Sequence, residues 1–246
     1  MIYNVKLGTF GGAMRMGDLV ALMNAIQFLR RDNPEVKFYL EPGSVSDADN
    51  VQQFLQYAYF RWDYFSEIPS TLNLPWNRVN LWDFRDISGD LLKLNNERGM
   101  KNKIAIFPVW DAPYNTYRNW PNSVLNMLFI QYNQPVYDSF EKVICISPNM
   151  RKVLDNEYAI PPDFQVSTNF IDNLDHVLSC YTYIGGDTGF SHLASVLDRG
   201  PIDLIYFYSS RGLIHTTPFH LFNGKGHMNR YWLDFEGTSW GSHNAK

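Results

Sequence analysis

The sequence predicts an α/β protein of two lobes, each a parallel sheet flanked by helices. Two observations carry that prediction. Short apolar runs of strand length alternate with segments of helical period, and the alternation restarts after a polar stretch at 95–103. The predicted division is 1–100 for the first lobe, 101–225 for the second, and 226–246 for a tail that matches no template.

Residues 2–7 read as a strand and Gly8-Thr9-Phe10-Gly11-Gly12 as a loop. Leu19, Leu22, Met23, Ile26 and Leu29 then recur at helical spacing over 18–31. Residues 36–40, after Asn33-Pro34, make a second strand. A βαβ unit of this kind implies a parallel pair. Ser46 caps an expected helix with Val51, Phe54, Leu55 and Ala58 on one face. A strand at 79–82 and a helix at 91–94 complete the first lobe. In the second, strands are expected at 104–109, 142–147, 181–184 and 202–208. Helices are expected at 121–132, with Pro121 in its first turn, and at 148–157, 171–179 and 191–197.

Composition narrows the function. An apolar share of 45% supports a packed core and excludes a disordered chain. A net charge of −4 argues against a purely electrostatic nucleic-acid binder. It leaves room for a local basic patch at 199–230, where Arg199, Arg211, Lys225 and Arg230 outweigh Asp203. Cys145 and Cys180 sit in apolar runs and read as core thiols of a reducing compartment. With no secretory signal and no membrane-length apolar run, a cytoplasmic protein is expected. His215, His220 and His227 are too loosely spaced for a metal site, so none is expected. Trp76, Trp82 and Trp110 read as packing residues.

Three stretches carry chemistry. The first runs from Tyr181 through Gly185, Gly186, Asp187, Thr188 and Gly189 to Ser191 and His192: a strand, a glycine turn and a helix start near Thr188. Free N–H groups and the positive helix end suit a diphosphate there, and glycines let it approach the backbone. Thr188 and Ser191 can add hydroxyl donors. A plain N-cap at Asp187 or Thr188 fits the same residues equally well.

The second stretch is Arg15-Met16-Gly17-Asp18, following a loop that contains Gly12. In a parallel lobe it lies at the carboxyl end of the strands, where ligands bind. Asp18 there can act as a general base or simply cap the helix, the commoner role for such a residue. The third stretch is Tyr114-Asn115-Thr116-Tyr117-Arg118-Asn119-Trp120-Pro121, in which Arg118 can pair with phosphate or stand solvated in a loop.

In this order the three stretches resemble the bacterial heptosyltransferase family of GT-B glycosyltransferases. Met16-Gly17-Asp18 matches the family's first helix start, and Arg118-Asn119-Trp120-Pro121 its basic motif. Asp187-Thr188-Gly189-Phe190-Ser191-His192-Leu193-Ala194 matches its eight-position signature. The resemblance frames residues 2–208 and implies a GT-B-like fold of two Rossmann-like lobes with a cleft between them. It also implies inverting, metal-independent transfer with no cofactor beyond the nucleotide-sugar donor. Asp18 would be the base, and Arg118 would hold phosphate. Gly186, Asp187, Thr188, Gly189, Ser191 and His192 would surround the donor, with Gly12, Arg15 and Gly17 in an acceptor or phosphate loop. Pro113-Tyr114 replaces the family's Thr-Thr pair, and Ser147 or Asn149 stands near the place of its ribose-binding acid.

A UDP- or ADP-linked sugar is therefore the expected donor and a saccharide the expected acceptor. A hydroxylated DNA base is an alternative acceptor, suggested by the basic patch and the short chain; it would have to be flipped out of the duplex. A catalytically inactive nucleotide-sugar binder keeps the same residues. A dinucleotide or methyl-donor enzyme, hinted at by Gly8, Gly11, Gly12 and Glu41, has the wrong glycine spacing.

Overall fold

The computed structural model describes residues 1–5, 16–17, 20, 30, 33–40, 66, 68–72, 94–95, 101–109, 120–186, 188–198, 203–209, 227–233 and 240–244. The chain divides into two compact units, Met1–Leu94 and Asn95–Lys246.

In the first unit, β1 (Ile2–Val5) pairs in parallel with β2 (Lys37–Leu40), Ile2 opposite Lys37 and Val5 opposite Leu40. Parallel neighbours need a crossover. Met16, Gly17, Val20 and Arg30 between them are helical. The Arg30 guanidinium donates to the Val36 carbonyl, tying the end of the crossover to the start of β2. Tyr3 stacks on Phe38, ring centres 6.2 Å apart. Ser70 Oγ donates to the Ile2 carbonyl at 2.6 Å, and the Ser66 N–H to that of Phe38 at 2.8 Å. The helix expected near Ser46 and the strand expected at 79–82 fall outside the described residues. Leu94, expected to end a helix, instead lies in the two-residue strand β3 (Leu94–Asn95). A four-residue apolar window does not separate the two periods.

The strands of the second unit are β4 (Lys101–Phe107), β5 (Glu141–Cys145), β6 (Phe164–Ser167), β7 (Cys180–Gly185), β8 (Leu197–Asp198), β9 (Asp203–Ser209), β10 (His227–Leu233) and β11 (Trp240–Asn244). Its α-helices are α1 (Asn122–Tyr132), α2 (Arg151–Glu157), α3 (Phe170–Ser179) and α4 (Gly189–Val196). The main sheet has the order β11-β10-β9-β7-β4-β5-β6. Every neighbouring pair is parallel except β10 with β11.

Alternate side chains sort the sheet into two faces. Ile104, Ile106, Ile144 and Ile184 pack with Val124, Leu125, Leu128 and Phe129 of α1 and Leu154 of α2. Burying each such aliphatic contributes roughly 1.5–3 kcal/mol. On the other face, Phe107 stacks on Tyr183 and meets Phe190 of α4, while α3 packs against β4, β5 and β7.

Several boundaries depart from expectation. β4 begins at Lys101, inside the polar stretch, because Lys103 is buried with partners of its own: His176 Nδ1 at 2.9 Å and Glu141 Oε2 at 3.4 Å. The helix expected at 148–157 opens with a 3-10 turn over Pro148–Met150. β6 has no counterpart among the expected elements, since Phe164-Gln165-Val166-Ser167 is too short to signal alone. The unassigned tail supplies β10 and β11, so the sheet runs through it: the seven residues of β10 match β9 from His227↔Asp203 to Leu233↔Ser209. Cys145 and Cys180 are buried, and neither is in a disulfide. Among the described residues, no helix is long and apolar enough to cross a membrane.

Candidate functional site

Strand order locates the site. Numbered from β4, the sheet runs outward in one direction through β5 and β6 and in the other through β7, β9 and β10. The reversal falls between β4 and β7, which makes their carboxyl ends a topological switch point, where open α/β sheets bind ligands. Phe107 and Gly185 are register partners there.

The glycine turn leaves β7 at this point. Gly185 has no room for a side chain: a Cβ would lie 2.5 Å from the Tyr183 Oη and 2.6 Å from its Cε1. Gly186 is buried, Asp187 lies outside the described residues, and Thr188 is a half-buried bend. α4 starts at Gly189, one residue after the expected point. Thr188 is its N-cap in effect: Oγ1 lies 3.4 Å from the Ser191 N–H, and its carbonyl accepts from Ser191 and His192 at 3.1 and 3.3 Å. The first helical N–H groups, those of Gly189 and Phe190, have no carbonyl one turn earlier within the helix. The cap formed by Thr188 therefore leaves these two N–H groups without an intrahelical acceptor.

Two expected hydroxyl donors part company here. Thr188 is half-buried, whereas Ser191 is fully buried and donates its hydroxyl proton to the Gly186 carbonyl. Ser191 faces the interior of the turn. His192 is 4% exposed, and its carbonyl accepts from Ser195 Oγ at 2.7 Å. Phe190 fixes the start of α4, its ring 4.7 Å from Phe107 and 5.7 Å from Phe170.

Arg118 lies outside the described residues, but Val109 and Trp120 on either side of its segment are described. The Trp120 N–H donates to the Val109 carbonyl at 2.6 Å, and both residues are buried. Val109 and Trp120 thus meet just beyond the carboxyl end of β4. Pro121, expected inside α1, precedes it as N-cap. Ser147 and Asn149 are exposed just beyond the carboxyl end of β5.

In the first unit, Gly12, Arg15 and Asp18 lie outside the described residues. Gly17, expected in the loop before the helix, is helical and half-buried, as is Met16. The helix is under way before its expected start at 18, whereas an N-cap precedes the first helical residue. The first unit's Gly8, Gly11 and Glu41 lie outside the described residues, as do Trp76 and Trp82. So do Arg199, Arg211, Lys225, His215 and His220 of the basic patch, and Trp110.

Tyr183, Phe107 and Phe190 were given no role in the sequence reading, although two of them lie inside its motifs; their rings pack together beside the turn. The one sequence signal was an aromatic two residues ahead of a glycine on a strand.

No protein-family model matches the chain, and no curated protein matches it. Solved structures do. A glycosyl transferase of family 9 from Veillonella parvula superposes with a TM-score of 0.50 at 11% identity, over 92% of this chain and 85% of that one. The E. coli ADP-heptose LPS heptosyltransferase II gives 0.51 at 12%, over 96% and 92%. The E. coli heptosyltransferase WaaC, solved with ADP, gives 0.50 at 12%, over 94% and 91%. The chain has the α/β, GT-B-like fold of the heptosyltransferases that its sequence motifs resemble.

Proposed function

We propose that this chain is a glycosyltransferase that moves a sugar from an ADP- or UDP-linked donor to a hydroxyl acceptor, a saccharide. The observation that carries the reading is the glycine turn that opens α4 at the switch point beside Phe107. Glycosyltransferases sharing the fold support it, one of them solved with ADP.

In this reading the diphosphate rests on the Gly189 and Phe190 amides and Thr188 Oγ1, with Arg118 pairing with its oxygens. Gly186 lets the phosphates approach the backbone, while Asp187 and His192 border the donor sugar. Ser191 acts from inside the turn. Asp18 takes the acceptor proton as its oxygen attacks the anomeric carbon, so the reaction is a single inverting displacement. The leaving diphosphate gains its stabilisation from backbone amides and Arg118, without a metal ion. Helical backbone at Met16 and Gly17 favours the base reading of Asp18 over a capping one. Gly12 and Arg15 belong to the acceptor side.

A thermal-shift panel of ADP, UDP, GDP, CDP, NAD and S-adenosylmethionine tests this reading. A ligand at about 100 times its Kd stabilises the fold by roughly 2.7 kcal/mol. One nucleoside diphosphate should raise the midpoint, and Arg118→Ala should abolish the rise. Asp18→Asn should keep the rise and lose turnover. A shift with NAD or S-adenosylmethionine alone would overturn the assignment.

A further inference from the structure

Tyr183 sits on β7, two residues ahead of Gly185, and is completely buried. Its ring stacks on Phe107 with centres 5.0 Å apart, and its hydroxyl lies 2.8 Å from Ser191 Oγ. The direction of the hydrogen bonds follows from valence. A carbonyl only accepts, so Ser191 spends its single proton on Gly186. Tyr183 must then be the donor to Ser191. Burial pushes the pKa of the phenol well up, so it holds that proton at any working pH. The result is a buried chain from Tyr183 through Ser191 to the Gly186 carbonyl.

We propose that Tyr183 is a positioning residue for the donor diphosphate, acting through Ser191 on the Gly186 carbonyl to hold Gly186 against the first turn of α4, where the diphosphate would rest. The proposal rests on the donor-site reading above and adds to it Tyr183, which lies ahead of the eight-position signature. Gly185 belongs to the same device, because only a residue without Cβ leaves the phenol its place over the strand.

The test is calorimetric titration of ADP and of UDP into the wild type, Tyr183→Phe, Ser191→Ala and the double variant. Titrations run well below every ligand-free unfolding midpoint, so folding losses do not enter the affinity. Tyr183→Phe keeps the stack on Phe107 and removes only the hydroxyl. Each single variant should bind the responding nucleotide roughly 5–10-fold more weakly, the worth of one hydrogen bond. The double variant should bind no more weakly than the worse single one, since both break the same chain. A wild-type Kd in Tyr183→Phe, or additive losses in the double variant, would overturn the positioning role and leave the donor site standing. Should Tyr183→Phe not fold, a wild-type Kd in Ser191→Ala would overturn it equally. A wild type that binds neither nucleotide would remove the donor reading itself, and this proposal with it.

Discussion

Lys103 Nζ lies 2.9 Å from Nδ1 of His176, joining the amino end of β4 to α3. An ammonium only donates, so Nδ1 accepts and the ring's own proton sits on Nε2. Ser179 Oγ at 3.5 Å and Glu141 Oε2 at 3.4 Å complete the surroundings of the ammonium. The cluster stands at the opposite end of β4 from the switch point, so its effects belong to stability.

Stability should fall on acidification through this pair. Burial foremost, then the Lys103 charge, holds the His176 pKa below its ordinary 6.5, against the opposing pull of Glu141, Asp175 and Asp172. Below about pH 6.5 the unfolded chain therefore binds more protons than the folded one. Stability is complete above that pH, declines below it, and levels off once the folded ring titrates. His176→Asn keeps an acceptor for Lys103 and cannot titrate. Urea midpoints from pH 5 to 8 should be flatter in that variant than in the wild type. Equal slopes would place the titrating group elsewhere.

Gly185→Ala should be costly although it adds a single methyl group. The new Cβ would meet the Tyr183 ring, which Phe107 and Ser191 hold in place. Overpacking of this kind costs about 1–3 kcal/mol. The variant's thermal midpoint should drop, and Tyr183→Leu in the same chain should restore part of the loss. A Gly185→Ala protein as stable as wild type would mean that the ring yields freely.

The strands near the switch point were legible because both faces are buried. Ile104-Ala105-Ile106-Phe107 and Tyr181-Thr182-Tyr183-Ile184 read as continuous apolar runs bounded by turn residues. The strand–turn–helix junction was legible because Gly185 and Gly186 close an apolar run and Gly189 precedes residues at helical spacing. Lys103 was not, since its burial depends on His176, 73 positions away. Nor was β10, whose pairing with β9 is a tertiary choice that strand propensity does not encode. The inward turn of Ser191 was equally hidden: in sequence its hydroxyl looks like that of Thr188, and only the Gly186 carbonyl separates their roles.

Asn169→Ala should weaken α3 measurably. The Asn169 side chain accepts from the Ile171 N–H at 2.8 Å and the Asp172 N–H at 3.2 Å, satisfying two of the helix's first donors. Loss of such a cap costs about 0.5–2 kcal/mol. Asn169→Asp retains the acceptor and adds favourable charge at the helix start, so it should be neutral or better. Chemical denaturation of the two variants compares them directly, and equal losses would argue against capping.

Thiol reactivity should be all or none. Cys145 is 3% exposed and Cys180 is fully buried, and burial foremost pushes the Cys145 thiol well above its ordinary acidity range. Alkylation needs the thiolate and access to it, and both are denied here. Iodoacetamide at pH 8 should label neither residue in the native protein and both in denaturant. Rapid native labelling of Cys145 would show that β5 opens locally.

Arg118→Ala and Trp120→Ala should separate binding from folding. Trp120 is 3% exposed within the main core, and its N–H donates to the Val109 carbonyl. Truncating a buried tryptophan costs about 3–5 kcal/mol, so Trp120→Ala should lower the ligand-free midpoint strongly. It should also weaken nucleotide binding, because Trp120 is the described core residue next in sequence to Arg118-Asn119. Arg118→Ala should leave the ligand-free midpoint close to wild type and weaken nucleoside diphosphate binding alone. Arg118→Lys should recover only part of that binding, since an ammonium lacks the fork that engages two phosphate oxygens at once. Thermal shift with and without ADP and UDP reads both effects in one experiment. Unchanged binding in Arg118→Ala, beside a full loss in Trp120→Ala, would assign the loop a structural role and remove Arg118 from the donor site.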